Sequence, residues 1–294
     1  MKAILYYFAL PWIYLISILP FWLLYRVSDF LFVVLYYVLG YRKKVIYPNL
    51  RNAFPEKSEN EIRVIAKKFY RYFCDLILET IKSITISPSA LRKRVTFDPE
   101  ALALLKKFYQ RDQSLVAVLG HWGNWELGGA RFALEPLHTL AIIYHPLKNE
   151  YFESLVVHMR TRLGNRLYPM KETYRRIISD RSEITATAFI ADQTPSNPAG
   201  AYWMEFLNQD TPVFLGPERV ARKHKYPCIY ISVNQPRRGY YYITAELLAE
   251  FPEKLQENEL TRLHTKKLEE DIKKQPEIWL WGHRRWKHSR KSPD

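Results

Sequence analysis

The sequence predicts an α/β protein: a mostly parallel sheet flanked by helices, with a membrane-anchoring helical segment in front of it. Three observations carry that reading. Residues 3–25 contain no charged side chain. Beyond them, short β-branched runs alternate with stretches of helical periodicity, the pattern of strands covered on both faces by crossover helices. Apolar residues make up 48% of the 294, which supports a substantial core and excludes a disordered chain.

The first run, AILYYFALPWIYLISILPFWLLY (3–25), would reach about 34 Å as a helix, enough to cross a hydrocarbon core. Pro11 and Pro20 each remove a backbone donor and predict kinks. The run is long and aromatic for a signal peptide, and no small-residue cleavage site follows it. FLFVVLYYVL (30–39) is too short to span and predicts an interfacial helix; Arg42-Lys43-Lys44 behind it places the remainder on the cytoplasmic side. The anchor is therefore assigned to residues 1–44. With no repeat, low-complexity stretch or Ser/Gly linker, residues 45–294 form one domain.

In that domain Ser58-x-x-Glu61 is a capping box opening a helix whose apolar face runs Ile62, Ile65, Ala66, Phe69, Phe73, Leu76 and Ile77. Buried strands are expected at 114–119, 139–144, 184–191 and 228–233, with helices at 124–134, 149–163, 171–179 and 217–225. An edge strand at 240–245 and a charged surface helix at 258–274 complete the set.

Lys and Arg number 44 against 30 Asp and Glu, a net charge of +14. The excess lies at both ends and in between rather than in a recognisable nucleic-acid module, so anionic lipid and acidic carrier proteins are the partners expected, and nucleic acid is not. Aromatic residues reach 15%, a bias that suits headgroup contact. Cys74 and Cys228 are too few for a disulfide framework or a zinc ribbon and read as buried thiols.

Ligands of open parallel sheets bind beyond the carboxyl ends of the strands, so residues directly after strands matter most. SLVAVLG runs straight into HWGNWELGG (121–129). A neutral imidazole at His121 can take a proton near pH 7. On one regular helix His121 and Glu126 would point about 140° apart. If His121 precedes the helix and Glu126 lies in its first turns, the carboxylate can hold Nδ1–H and steady the imidazolium. No serine or cysteine nucleophile stands nearby, so the hydroxyl would belong to the substrate, with Gly120 and Gly123 leaving backbone room for a carbonyl and amide donors for its oxyanion. HExxH is absent, and no metal is expected. A histidine between tryptophans is equally the pattern of a packed core residue, and the residues alone leave both readings open.

Arg160 and Arg162 lie about 200° apart on a helix, so one of them faces the site, where a guanidinium fork suits phosphate. Arg175 and Arg176 are weaker anion-binding candidates, and His283-Arg284-Arg285 form a basic tail able to reach headgroups. Asp192-Gln193 follows the strand ITATAFIA: either an ordinary turn stiffened by Pro195 and Pro198, or a polar anchor for an arginine or a sugar hydroxyl.

HWGNWE after a hydrophobic strand resembles the HxxxxE block of the late (lauroyl/myristoyl) acyltransferases of lipid A biosynthesis. These lie within the glycerolipid/lysophospholipid acyltransferase superfamily, where HxxxxD is commoner. Four further blocks resemble that family in order: YRKKVIYPNLRNAFPEKS (41–58), YHPLKNEYFESLVVHMRTRLGN (144–165), ADQTP (191–195) with the strand ending at Glu205-Phe206 and Thr211-Pro212, and WLWGHRRWK (279–287). Where the family often has Phe-Phe-Gly, this chain reads Phe206-Leu207-Asn208. The resemblance implies an O-acyltransferase with His121 as general base and Glu126 as its partner, and with Arg160, Asp192 and Gln193 on the substrate; Arg176 is added to the substrate set from the residues alone. It implies a fatty acyl thioester of acyl carrier protein as co-substrate, no cofactor and no covalent acyl-enzyme. The acceptor would be a hydroxyl of a lipid A precursor or, alternatively, a lysophospholipid or aminolipid. The protein would sit in the bacterial inner membrane with its catalytic domain facing the cytoplasm.

Overall fold

The structure is a computed structural model and describes residues 2–290. Its elements are α1 (Lys2–Ile18), α2 (Phe21–Val33) continued by a π turn (Val34–Val38), α3 (Lys43–Ala53), α4 (Glu59–Lys82), α5 (Pro88–Arg94), β1 (Val95–Phe97), α6 (Pro99–Tyr109), β2 (Leu115–Leu119), α7 (Trp125–Phe132), β3 (Thr139–Tyr144), α8 (Glu150–Thr161), β4 (Arg166–Pro169), α9 (Thr173–Ser179), β5 (Thr185–Ile190), β6 (Tyr202–Phe206), β7 (Gln209–Val213), α10 (Gly216–His224), β8 (Cys228–Arg237), β9 (Tyr240–Ala249) and α11 (Glu259–Lys274).

Seven strands form one sheet in the order β1-β9-β8-β2-β5-β3-β4, parallel throughout except where β9 runs antiparallel to β8. β6 and β7 make a separate hairpin. Alternate side chains of the central strands feed two cores, as strands covered on both faces require. Ala117, Ala188 and Val233 pack with Leu127 and Phe132 of α7 and Leu105 and Phe108 of α6. Val116, Val118 and Phe189 pack with Ile177 of α9 and with Val220 and Ala221 of α10. A third core joins α2, α3 and α4 to Trp122, Trp279 and Trp281.

The predicted α/β architecture is therefore present, with three differences. Residues 3–25 are not one helix: Pro20 takes an extended conformation (φ −62°, ψ 149°) and starts α2, whereas Pro11 stays inside α1. The helix long and apolar enough to cross a membrane is instead Phe21–Val38, which absorbs the second apolar run. β9 is not an edge strand, because Val95–Phe97 pairs along its outer side; three residues are too few to show a period in sequence.

Both amino-terminal helices are tied to α4. Its amino terminus carries the expected capping box, with Ser58 Oγ accepting from the Glu61 amide and Glu61 Oε2 from the Ser58 amide (2.8 Å). At its other end Lys82 Nζ donates to the carbonyls of Ser17 (2.7 Å) and Leu19 (2.9 Å), groups left over where the first helix stops. Between these, buried Asp75 accepts from Ser28 Oγ of α2 (2.5 Å) and from Arg238 at the β8–β9 turn (2.7 and 2.8 Å). Replacing Arg238 by Gln leaves that carboxylate short of donors, and should lower stability by about 1–3 kcal/mol, read as an earlier thermal transition in detergent. An unchanged transition would show that the bridge does not fasten α2.

Candidate active site

The site begins with strand order. β2 and β5 are parallel neighbours with Leu119 opposite Ile190, and the Ala191 amide extends the ladder to the Leu119 carbonyl (3.0 Å). The residues that leave these two strands, His121 and Asp192, consequently emerge side by side. One Asp192 oxygen accepts from His121 Nδ1 (2.6 Å); the other accepts from the His121 amide (2.9 Å) and from Trp279 Nε1 (2.7 Å). Burial pushes the Asp192 carboxyl up, but the His121 charge and these three donors outweigh it and pull it down to about 2. Asp192 is therefore an anion at neutral pH and only accepts. That assigns the proton to Nδ1 and leaves the Nε2 lone pair outward, 3.2 Å from the Gln193 amide. The Trp125 ring meets the imidazole edge-on at 4.7 Å between centroids.

The turn that carries His121 is rigid. Gly123 has φ +57°, and a Cβ there would come within 1.6 Å of the Val233 carbonyl oxygen, so only glycine fits. Its amide donates to Ile278 O (3.0 Å), and its carbonyl accepts from Tyr72 Oη (2.5 Å). That amide is thus spent on packing, and the expectation that it would serve an oxyanion is corrected. Asn124 caps α7 through the Leu127 amide (2.9 Å) and donates to Glu79 Oε2 (2.7 Å). Fully buried Glu79 also accepts from the hydroxyls of Tyr25 (2.6 Å) and Tyr241 (2.5 Å); burial pushes its carboxyl up despite these donors.

Glu126 does not contact His121 through a hydrogen bond, contrary to expectation. Its carboxylate is gripped by one edge of the Arg160 guanidinium, Nε donating to Oε2 (3.0 Å) and Nη2 to Oε1. α7 starts only at Trp125, so Glu126 in its first turn reaches across to α8, while Asp192 already fills the Nδ1 position.

A cavity of about 660 Å³ joins these groups. His121, Trp125, Glu126, Arg160 and Gln193 form its polar part; Ala117, Ala188, Gly128, Gly129, Leu140, Ile142, Val233 and Ile243 continue it as an apolar space between α7 and the sheet. Of the two helical arginines Arg160 lines it. Arg162 instead donates to the Ser83 and Ile86 carbonyls. Arg176 does not join the site: it is half-exposed on α9 and pairs with Glu172 (3.1 Å), as does Arg175. The basic tail is divided, with Arg284 exposed and Arg285 buried. Cys74 and Cys228 are buried free thiols, as expected. Among the described residues no group of three His, Cys, Asp or Glu is arranged to hold a metal ion.

Of the residues expected at the site, His121, Glu126, Arg160 and Gln193 line the cavity; Asp192, expected on the substrate, is instead bonded to His121 and to Trp279, a residue the sequence did not single out. The missing signal was strand adjacency: had 114–119 and 184–191 been placed next to each other, both polar residues after them would have faced.

Asp192 titrates below its ordinary value of 3.8, so its contribution is full above about pH 4 and is lost as pH falls toward about 2, a loss of roughly 2 kcal/mol. Unfolding midpoints measured across that window should fall more steeply for the native chain than for Asp192→Asn. Parallel curves would contradict the buried ion pair.

Residues 2–288 match the sequence model of the family described as bacterial lipid A biosynthesis acyltransferase. Two curated proteins are similar, each 25% identical over 251 residues, covering 84% of this chain and 79% of the relative. They are named lipid A biosynthesis palmitoleoyltransferase, from Escherichia coli K12, and lipid A biosynthesis acyltransferase, from Shigella flexneri. With the match running almost from end to end, the chain belongs to the bacterial lipid A biosynthesis acyltransferase family.

Proposed function

We propose that this protein transfers a fatty acyl chain from a thioester of acyl carrier protein to a hydroxyl of a lipid A precursor, with His121 as general base. The observation that carries the reading is the His121–Asp192 pair, whose Nε2, met by the Gln193 amide at 3.2 Å, faces a cavity polar at one end and apolar at the other. A volume near 660 Å³ falls within the range of about 300–1,000 Å³ usual for ligand pockets.

The acceptor hydroxyl donates its proton to Nε2 as its oxygen attacks the thioester carbonyl carbon. The tetrahedral intermediate collapses, the C–S bond breaks, and the imidazolium returns the proton to the departing thiolate. Asp192 holds the ring and offsets its charge during the cycle. Glu126 fixes Arg160 beside the imidazole, where the guanidinium steadies the charge that develops on the carbonyl oxygen. Because that pair is net neutral, it is a weaker phosphate site than a lone arginine would be. The apolar part of the cavity receives the acyl chain.

The amino-terminal helices support a membrane-surface placement. Ile4, Phe8, Trp12, Trp22 and Phe30 are exposed. Meanwhile Tyr6 packs on Tyr151 and Phe152 of α8, and the Lys82 and Asp75 bonds hold both helices along the domain. This arrangement suits two helices lying in the headgroup region of the inner membrane at its cytoplasmic face, with their outer sides in lipid.

His121→Ala and Asp192→Asn should each lower acyl transfer by about 10²–10⁴ in an assay with acyl carrier protein thioester and purified lipid A precursor, with membrane binding retained. Full activity in His121→Ala would refute the base. A large loss in Glu126→Gln beside a negligible one in Asp192→Asn would return the partnership to Glu126. Transfer to lysophospholipid in preference to the precursor would reassign the acceptor.

A Cβ at Gly129 would make ordinary contacts with Ile142 (3.6 Å) and Leu140 (3.7 Å), so a side chain there enters the apolar space without breaking the helix. Gly129→Leu should therefore shift the transferred chain to a shorter length, read by mass spectrometry of the product lipid. An unaltered chain-length distribution would show that the acyl group lies elsewhere.

A further inference from the structure

Arg285 is 2% exposed and stands in the carboxyl-terminal segment that wraps behind the turn after β5. Thr194 fastens that segment: its amide donates to His283 Nε2 (3.3 Å) and its hydroxyl to the carbonyls of Arg284 and Arg285. The Arg285 side chain spends one donor, Nη2, on the Pro212 carbonyl (2.8 Å); Nε and Nη1 have no hydrogen-bond partner among the described residues. An isolated guanidinium is costly to bury, and persists where an opposite charge answers it. Arg285 lines a small internal cavity with His264, Tyr230 and Asp192, and Asp192 is the carboxylate among its described lining residues. The same carboxylate accepts from His121 Nδ1 (2.6 Å).

We propose that Arg285 is a positioning residue for the transfer reaction: its charge, sharing a small cavity with Asp192, adds to the three donors that hold that carboxylate as an anion and keeps it from over-stabilising the His121 imidazolium. The cation acts through the carboxylate and touches neither substrate nor the reacting atoms. Burial lowers the guanidinium to about 10 while Asp192 pulls it the other way, so it stays charged at neutral pH. The other groups around the dyad do not duplicate it. Glu126 and Arg160 neutralise each other. His264 is pushed down to about 4 by burial, and burial likewise lowers His283. Tyr230 is engaged by Asp271 (2.9 Å). Lys287 is exposed to solvent, which screens it.

The inference rests on the base assignment made above, and its test separates the two. In the full-length protein in detergent, the ring carbon signals of histidine are titrated by NMR, with His121 identified by its loss in His121→Gln. Arg285→Met should move the His121 titration to higher pH by about half a unit or more, and the acid limb of kcat/KM for acyl transfer should move with it. Arg285→Lys, which keeps a charge, should move both less, and Arg284→Met, its exposed neighbour, should leave both in place. Should Arg285→Met fail to fold, Arg285→Gln, which retains a donor for the Pro212 carbonyl, carries the same expectation. A His121 titration that stays put in the neutral variant overturns the inference whatever the activity. A titration that moves while His121→Ala keeps full activity leaves the coupling of Arg285 to His121 through Asp192 standing and removes the base assignment, and with it the positioning role in transfer.

Discussion

Three donors converge on one buried carboxylate, and most of what positions the site follows from holding Asp192 there. The His121 amide and ring come from the end of β2, Trp279 Nε1 from the carboxyl-terminal segment, and Asp192 itself from the end of β5. None of these is near another in sequence. The arrangement requires β2 and β5 to be neighbours in register and requires the chain, after α11, to return across the strand ends. An isolated bridge between Trp122 and Trp279 and the bond from the Leu280 amide to the His121 carbonyl hold that return in place. A carboxylate this deep is costly to desolvate; three hydrogen bonds, one from an imidazole that becomes cationic in the cycle, offset that cost only while all three elements stay docked. The site is therefore a property of the whole sheet and not of the HWGNWE segment.

α4 extends the same logic to the amino-terminal helices. Tyr72 and Glu79, two turns apart on it, grip the Gly123 carbonyl and the Asn124 side chain, which fixes the turn bearing His121 from below. Glu79 also accepts from Tyr25 of α2, and Asp75, one turn earlier, from Ser28. The helices with an exposed apolar face and the turn with the imidazole are thus bonded to the same stretch of α4. If α1 and α2 settle in lipid, the cavity mouth is brought to a fixed place relative to the headgroups through side-chain bonds rather than through a flexible linker. Neutral donors around Glu79, without any cation, suit this purpose, since they demand a defined geometry.

How much of this was legible in the sequence depends on the length scale of each signal. β2, β3 and β5 are near-continuous apolar runs bounded by polar residues, and they lie within a residue of where the pattern puts them. β1 and β4, three and four residues long, carry too little periodicity to be read, and missing β1 made β9 look like an edge. The Ser58 box was local geometry and was readable; helix spacing told that only one of Arg160 and Arg162 faces the cavity, and the family resemblance, not the spacing, named Arg160. The partner of His121 was not, because a carboxylate five residues away in sequence competes poorly with one supplied by a neighbouring strand. Arg285 was hidden for a related reason: a basic cluster near a chain end has the composition of a solvated tail, and only the fold distinguishes the one arginine that turns inward.

The charges around the imidazole explain why two carboxylates can coexist beside it. Asp192 and Glu126 together would bring two negative charges to a largely apolar cavity that has to admit a fatty chain. Each is matched by a guanidinium from a different element: Arg160 from α8 in direct bidentate contact with Glu126, and Arg285 from the carboxyl-terminal segment across the small cavity behind Asp192. The two matches differ in kind. A bidentate pair spends the carboxylate's lone pairs and takes Glu126 out of competition for the histidine, whereas a cation set behind Asp192 leaves its oxygens free to accept from the ring. That difference in geometry, rather than the identity of the acid, separates the carboxylate that is hydrogen-bonded to His121 from the one that is not.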